Sequence, residues 1–206
     1  MKKTNLFSHF ISAIFHPLLM PILVLYIIFN LNTYINFSVP PGLRNLLYGL
    51  ILITTLLLPA SIVLWLYRTK KVNDLNINDY QQRRLPYLIT ALLYFFTYWL
   101  VAKTPLPFTI QLLVLGSCLA VFITMAVNLF WKISAHMVGI GGAAGAILGV
   151  SFRLMIDLHF VFCLIILISG LVAFARMQLG AHSQGQVYVG FLAGFMSELL
   201  VLQING

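Results

Sequence analysis

Seven long apolar runs separated by short polar breaks dominate this sequence, at residues 14–31, 44–67, 85–102, 107–130, 135–152, 157–175 and 184–203. A helix that crosses a bilayer needs about 20 mostly apolar residues. Inside lipid, every backbone N–H and C=O finds its partner within a helix or around a closed barrel. Runs of this length predict helices. The expected fold is an all-α polytopic membrane helix bundle of six or seven transmembrane helices with no β-sheet. The count is open by one because Pro17 and Pro21 interrupt the first run and leave part of it a candidate interfacial segment. Pro40-Pro41-Gly42 and Pro105-Leu106-Pro107 mark turns. Lys2 and Lys3 ahead of an apolar run mimic a secretory signal. The run continues to Leu31 with no small-residue cleavage site, so an uncleaved first helix is expected.

Charge supports the membrane reading. Only 8% of residues are charged and 61% are hydrophobic, whereas soluble domains carry about a quarter charged residues. The longest polar stretch runs from Arg68 to Arg84, which leaves a single integral-membrane domain over residues 1–206. The net charge of +8 sits at helix ends and in short loops. Membrane topology and lipid phosphate account for it there, and nucleic acid is not an expected partner. Cys118 and Cys163 lie inside apolar runs and read as core residues.

Two rows of small residues predict close helix packing. Gly141, Gly145 and Gly149 repeat in the fifth segment, and Gly190 and Gly194 in the last. Packing these two segments together would bring His136 and His182 together.

Parity adds a second constraint. The 68–84 loop, the 131–136 junction and the 176–186 junction are separated by two helices each, so they share one membrane face. That face receives Lys2, Lys3, Arg68, Lys70, Lys71, Arg83, Arg84, Lys132 and Arg176. The other receives Arg44, Lys103 and Arg153. The positive-inside rule makes the first face cytoplasmic. The contrast weakens if Arg83, Arg84, Lys132 and Arg176 are there for phosphate.

The residues able to carry chemistry cluster on that face. Arg176 precedes His182 by six residues. On an unbroken helix that offset is about 600°, and the two side chains would diverge. A break at Gly180 can turn the chain so that both enter one site. Helix starts offer free N–H groups and a positive dipole end, which suit a phosphate. His182 opens the last segment in this way. Ser134 and His136 open the fifth, with Ser134 a candidate N-cap and Lys132 nearby. His9, His16 and His159 read as packing or hydrogen-bonding residues. Glu198 stands inside the last segment, and a carboxylate in a membrane helix is costly and usually functional.

These junctions resemble the motifs of the type 2 phosphatidic acid phosphatase and haloperoxidase-like superfamily over roughly residues 70–200. The third motif of that family reads Ser-Arg, five residues, His, three residues, Asp. Here it is matched by Ala175-Arg176, five residues, His182, three residues and Gln186. The second, Pro-Ser-Gly-His, is matched by Ile133-Ser134-Ala135-His136. The first, Lys, six residues, Arg-Pro, is approached only by Arg84-Leu85-Pro86, with Ile77 where the lysine belongs. Lys70, Lys71 or Arg83 are candidates to replace that lysine.

The resemblance implies a lipid phosphate or lipid diphosphate phosphatase that uses neither metal nor other cofactor. Its substrate would be an anionic lipid such as phosphatidic acid, phosphatidylglycerol phosphate or a polyprenyl diphosphate. A bacterial inner membrane is the expected location. His182 would be the nucleophile that forms a phosphohistidine, and His136 would protonate the leaving alkoxide. Arg176, Arg84 and the backbone around Ser134 would hold the phosphate oxygens, with Lys132 and Arg83 as further phosphate-binding candidates. The departure with most consequence is Gln186, where the family has a carboxylate that orients the nucleophile. An amide oxygen still accepts the imidazole N–H but adds no negative charge. Loss of the corresponding carboxylate in serine proteases costs on the order of ten-thousand-fold. The alternative is therefore a non-catalytic protein that binds or helps move anionic phospholipids.

Overall fold

In the computed structural model, residues 3–74, 77 and 79–204 are described. Among them no residue is in a strand, and seven helices are long and apolar enough to cross a membrane. The chain is an all-α polytopic membrane bundle, as its apolar runs predict.

The first span, Asn5–Asn30, is longer than the run at 14–31 and starts earlier. It is broken rather than continuous. Helix α1 (Lys3–Ile14) ends before a 3-10 turn (Pro17–Leu19), and α2 (Met20–Asn30) follows. Pro17 and Pro21 each occupy the first turn of their element, where a missing N–H leaves no bond unmade. The ring Nδ1 of His16 accepts the Leu18 N–H at 3.4 Å and caps the turn. Because of this break α1 packs on α9 while α2 turns inward against α8.

A five-residue helix, α3 (Tyr34–Ser38), links to the second span, Pro41–Arg68. That span comprises α4 (Pro41–Ile51), a π-helical stretch (Leu52–Leu57) and α5 (Leu58–Arg68). Pro59 has no N–H for the Thr55 carbonyl and its ring crowds that group, so the ladder widens just upstream. The hydroxyls of Thr54 and Thr55 turn back onto the Leu50 and Ile51 carbonyls.

The remaining spans are α6 (Arg84–Val101), α7 (Phe108–Asn128), α8 (Ala135–Leu154), α9 (His159–Gln178) and α10 (Gln184–Leu202). Helix α8 is the most enclosed, and α10 is its main partner. Ser134 lies against Gly190, Val138 against Gly194, Phe195 against Gly145 and Leu202 against Gly149. Numbers rise together along both helices, so α8 and α10 run parallel. They start on one membrane face, as parity requires. A β-carbon on Gly141, Gly145 or Gly194 would strike a backbone carbonyl of the facing helix, which is why these positions lack one. Helix α9 is the return leg between them and faces outward over most of its surface.

Candidate functional site

Helix α9 ends in a turn that sets the geometry of the site. Gly180 takes a left-handed φ of 62°. Its N–H donates to the Met177 carbonyl at 2.9 Å, and the Ala181 N–H donates to the Arg176 carbonyl at 3.1 Å. This paired closure reverses the chain within a few residues. Arg176 in the last turn of α9 and His182 just before α10 therefore line the same cavity.

That cavity has a volume of about 380 Å³ and opens between α2, α5, α6, α7 and α8. His16, His136, His182, Arg83 and Arg176 line it, and its walls below them are largely apolar. Arg176, His16 and His182 all lie within electrostatic range of His136. The rings of His16 and His136 meet edge to face at 5.5 Å between centroids. His136 Nε2 lies 3.1 Å from the Ser12 carbonyl, and Arg176 donates to the Ser12 hydroxyl at 3.4 Å. A carbonyl oxygen only accepts, so His136 Nε2 carries a proton. Arg176 Nε is buried without a hydrogen-bond partner.

The orientation of His182 follows from Gln186. Ser183 and Gln186 form a reciprocal cap at the start of α10. The Ser183 N–H donates to Gln186 Oε1 at 3.3 Å, which fixes which end of the amide faces the cap. The same oxygen lies 3.0 Å from His182 Nδ1. It can only accept, so Nδ1 carries the proton and the neutral ring keeps its lone pair on Nε2. His182 is buried, and burial pushes its pKa down to about 3. The Gln186 bond opposes that shift, and Arg83, Arg176 and Lys132 reinforce it. The ring is neutral at physiological pH.

The other candidates divide. Arg83 is buried and lines the cavity, with Nε donating to the Ile77 carbonyl at 2.6 Å and another nitrogen to the Ile133 carbonyl at 3.3 Å. Arg84 is exposed, lies outside the lining and donates to the Leu129 carbonyl at 3.0 Å. The arginine that reaches the site is thus the neighbour of the one in the Arg-Leu-Pro sequence. Lys132 is half-buried beside Arg83 and Arg176, and burial first, then those two cations, lower its pKa.

Ser134 occupies the N-cap of α8, but its hydroxyl does not bond onto the helix and is buried without a partner. Its N–H donates to the Gln186 carbonyl at 3.4 Å and ties the two helix starts together. Part of the 68–84 loop contributes through Ile77 and Arg83, while Leu75, Asn76 and Asn78 lie outside the described residues.

His16 is the residue that sequence reasoning undervalued. It was legible only as the histidine beside Pro17 at the one break in an apolar run. His9 is exposed on α1, and His159 pairs with Asp157 at 2.6 Å at the start of α9. Glu198 lines the inner end of the same cavity.

No protein-family model, curated protein or solved structure matches the chain.

Proposed function

We propose that the protein is a lipid phosphate or lipid diphosphate phosphatase that works through a phosphohistidine on His182. The observation that carries this reading is the His182–Gln186 contact, which places the proton on Nδ1 and leaves Nε2 unprotonated on a ring that lines a cavity with Arg83 and Arg176. A cavity lined by Arg83, Arg176 and three histidines suits an anion, because the field of the two guanidiniums favours negative charge there. Apolar walls below suit the tail of a lipid. Phosphoryl transfer asks mainly for positioning and charge neutralisation, and these groups supply both.

In this scheme His182 Nε2 attacks phosphorus while the bond to the lipid oxygen breaks. The leaving oxygen takes its proton from Nδ1–H of His136 in the imidazolium form, which leaves that ring neutral. Water then attacks the phosphohistidine, the N–P bond breaks and His136 takes the proton of the water. Arg176 and the backbone N–H groups at the uncapped start of α8 neutralise the phosphoryl oxygens. Candidate substrates are phosphatidic acid, phosphatidylglycerol phosphate and polyprenyl diphosphates, and a cytoplasmic-facing site in a bacterial inner membrane is the proposed setting.

The amide at Gln186 favours a second reading, a binder or mover of anionic phospholipids without turnover. The test is phosphate release from those lipids by purified protein in the presence of chelator. The phosphatase reading expects release that vanadate blocks and that His182→Ala abolishes. Release that survives His182→Ala, or that needs a divalent metal, overturns it. Retained lipid-phosphate binding with no release selects the second reading.

A further inference from the structure

We infer that Glu198 is a proton-binding station at the inner end of the cavity, coupled to anion occupancy at its mouth. The inference rests on the reading of that mouth as an anion site.

Glu198 is 4% exposed and sits where α10 meets the middle of α7. Its Oε1 accepts the Ser117 hydroxyl at 2.6 Å, while Oε2 is buried without a hydrogen-bond partner. The backbone makes room for the carboxyl, since a β-carbon on Gly116 would overlap it. Among the described residues no cation forms an ion pair with it. An isolated carboxylate at this depth is strongly disfavoured, and the neutral acid with an O–H to donate is the form such a place accepts.

The groups that face Glu198 are few. Helix α6 presents Tyr94, and α7 presents Ser117, with Cys118 close to Tyr94. The π-helical stretch presents Thr55, α2 presents Pro21 and Val24, and α8 presents Gly142. None of these side chains is charged. One carboxyl with a few hydroxyls falls short of the six or more oxygens that calcium takes, whereas a proton needs only one.

Two cavities meet at this carboxyl. One is the large cavity that ends on His136, His182 and Arg176. The other is small, about 20 Å³, and Thr55, Tyr94, Thr97 and Ser117 are among the residues that border it. That is room for one water among polar partners, since about 10–15 Å³ suffices. Glu198 therefore has a water-sized space on one side and the anion cavity on the other.

The coupling is electrostatic. Gly142, which touches the Glu198 side chain, is six residues beyond His136 on α8, about 9 Å deeper at 1.5 Å per residue. A carboxylate about 12 Å from a doubly charged anion, at an effective dielectric of about 20, lowers anion affinity roughly a hundredfold. A proton on Glu198 removes that repulsion, so proton and anion favour each other's binding.

The test measures sulfate binding by calorimetry on the purified full chain, wild type and Glu198→Gln, from about pH 6 to about pH 9. Sulfate keeps its charge over this range, and histidine titration is common to both proteins. Glutamine keeps an acceptor for Ser117. The wild type is expected to bind like the variant at low pH and to fall about a hundredfold below it as pH rises. A constant ratio across the range overturns the inference.

Infrared spectroscopy separates this failure from failure of the anion site. The protonated-carboxyl stretch should be present in the wild type at neutral pH and missing in Glu198→Gln. Its absence from the wild type overturns the station even where sulfate binds. If sulfate does not bind, the coupling and the anion reading of the mouth both fall. Should Glu198→Gln not fold, Ser117→Ala serves instead, and an unchanged carboxyl band and an unchanged binding profile there count against the station.

Discussion

Gln186 Oε1 lies 3.0 Å from His182 Nδ1 and occupies the place a carboxylate would need to orient that ring. The same oxygen caps the helix by accepting the Ser183 N–H. One side chain thus carries a structural duty and an orienting duty.

Substitution at this position separates those duties. Gln186→Asp or Gln186→Glu should raise phosphate release tenfold or more, on the order of part of the ten-thousand-fold that a triad carboxylate confers. Gln186→Leu should lose the cap as well, destabilising α10 by about 1 kcal/mol and cutting turnover. Initial rates on detergent-solubilised phosphatidic acid, alongside melting curves, read both effects. Carboxylate variants with lower turnover than the wild type would show that a like charge beside the phosphate outweighs the gain at the imidazolium.

Arg176 and Arg84 give a sharper contrast, because both belong to motif-like sequences and only Arg176 reaches the cavity. Arg176→Gln should weaken vanadate binding by about a hundredfold, the scale of a buried charge-assisted hydrogen bond of about 2–3 kcal/mol. Arg84→Gln should change it less than about threefold, as expected of an exposed cation. Equal losses in the two variants would mean that Arg84 engages the anion.

Acid should destabilise the protein through His182. The pKa of this group is lowered to about 3 in the fold from an ordinary 6.5. A base held neutral contributes stability that is complete above about pH 6.5 and is lost as pH falls from there towards 3. Melting temperature should therefore drop between neutral pH and about pH 5, and drop less in His182→Asn, which no longer takes up that proton. Parallel slopes in the two proteins would place the acid sensitivity elsewhere.

Glycines in the bundle should behave in opposite ways. Gly194→Ala drives a methyl into the Val138 carbonyl and the Gly142 backbone, and should destabilise by about 1–3 kcal/mol or reduce folded yield. Gly170→Ala on α9 meets nothing within 4 Å and should be neutral or stabilising by up to about 1 kcal/mol. Thermal unfolding in one detergent compares them directly.

Much of this was legible in the sequence because lipid removes alternatives. A run such as Phe108–Asn128 has no option but to be helical, and counting such runs places Arg176, His136 and Arg83 on one face. The glycine rows marked α8 and α10 as close neighbours. The break within the first span was less readable, since Pro17 and Pro21 fit both a kinked span and an interfacial helix, and the sequence does not say that α1 packs on α9 while α2 packs on α8. Side-chain choice was the least readable feature. Arg83 and Arg84 differ by one position, and only the phase at which the chain enters α6 sends one inward and the other to the surface.

The parallel pairing of α8 and α10 has a consequence for biosynthesis. Helix α8 leaves the ribosome with its glycine-rich face unmatched, and α9 must be threaded before α10 can cover it. His182 and Gln186 arrive with α10. Until then the membrane holds a half-built groove, so the cavity that His136, Arg176 and His182 line takes shape only once α10 is in place. A nascent chain halted before Gly190 emerges would carry Arg176 and His136 but not the backbone contact that brings His182 beside them.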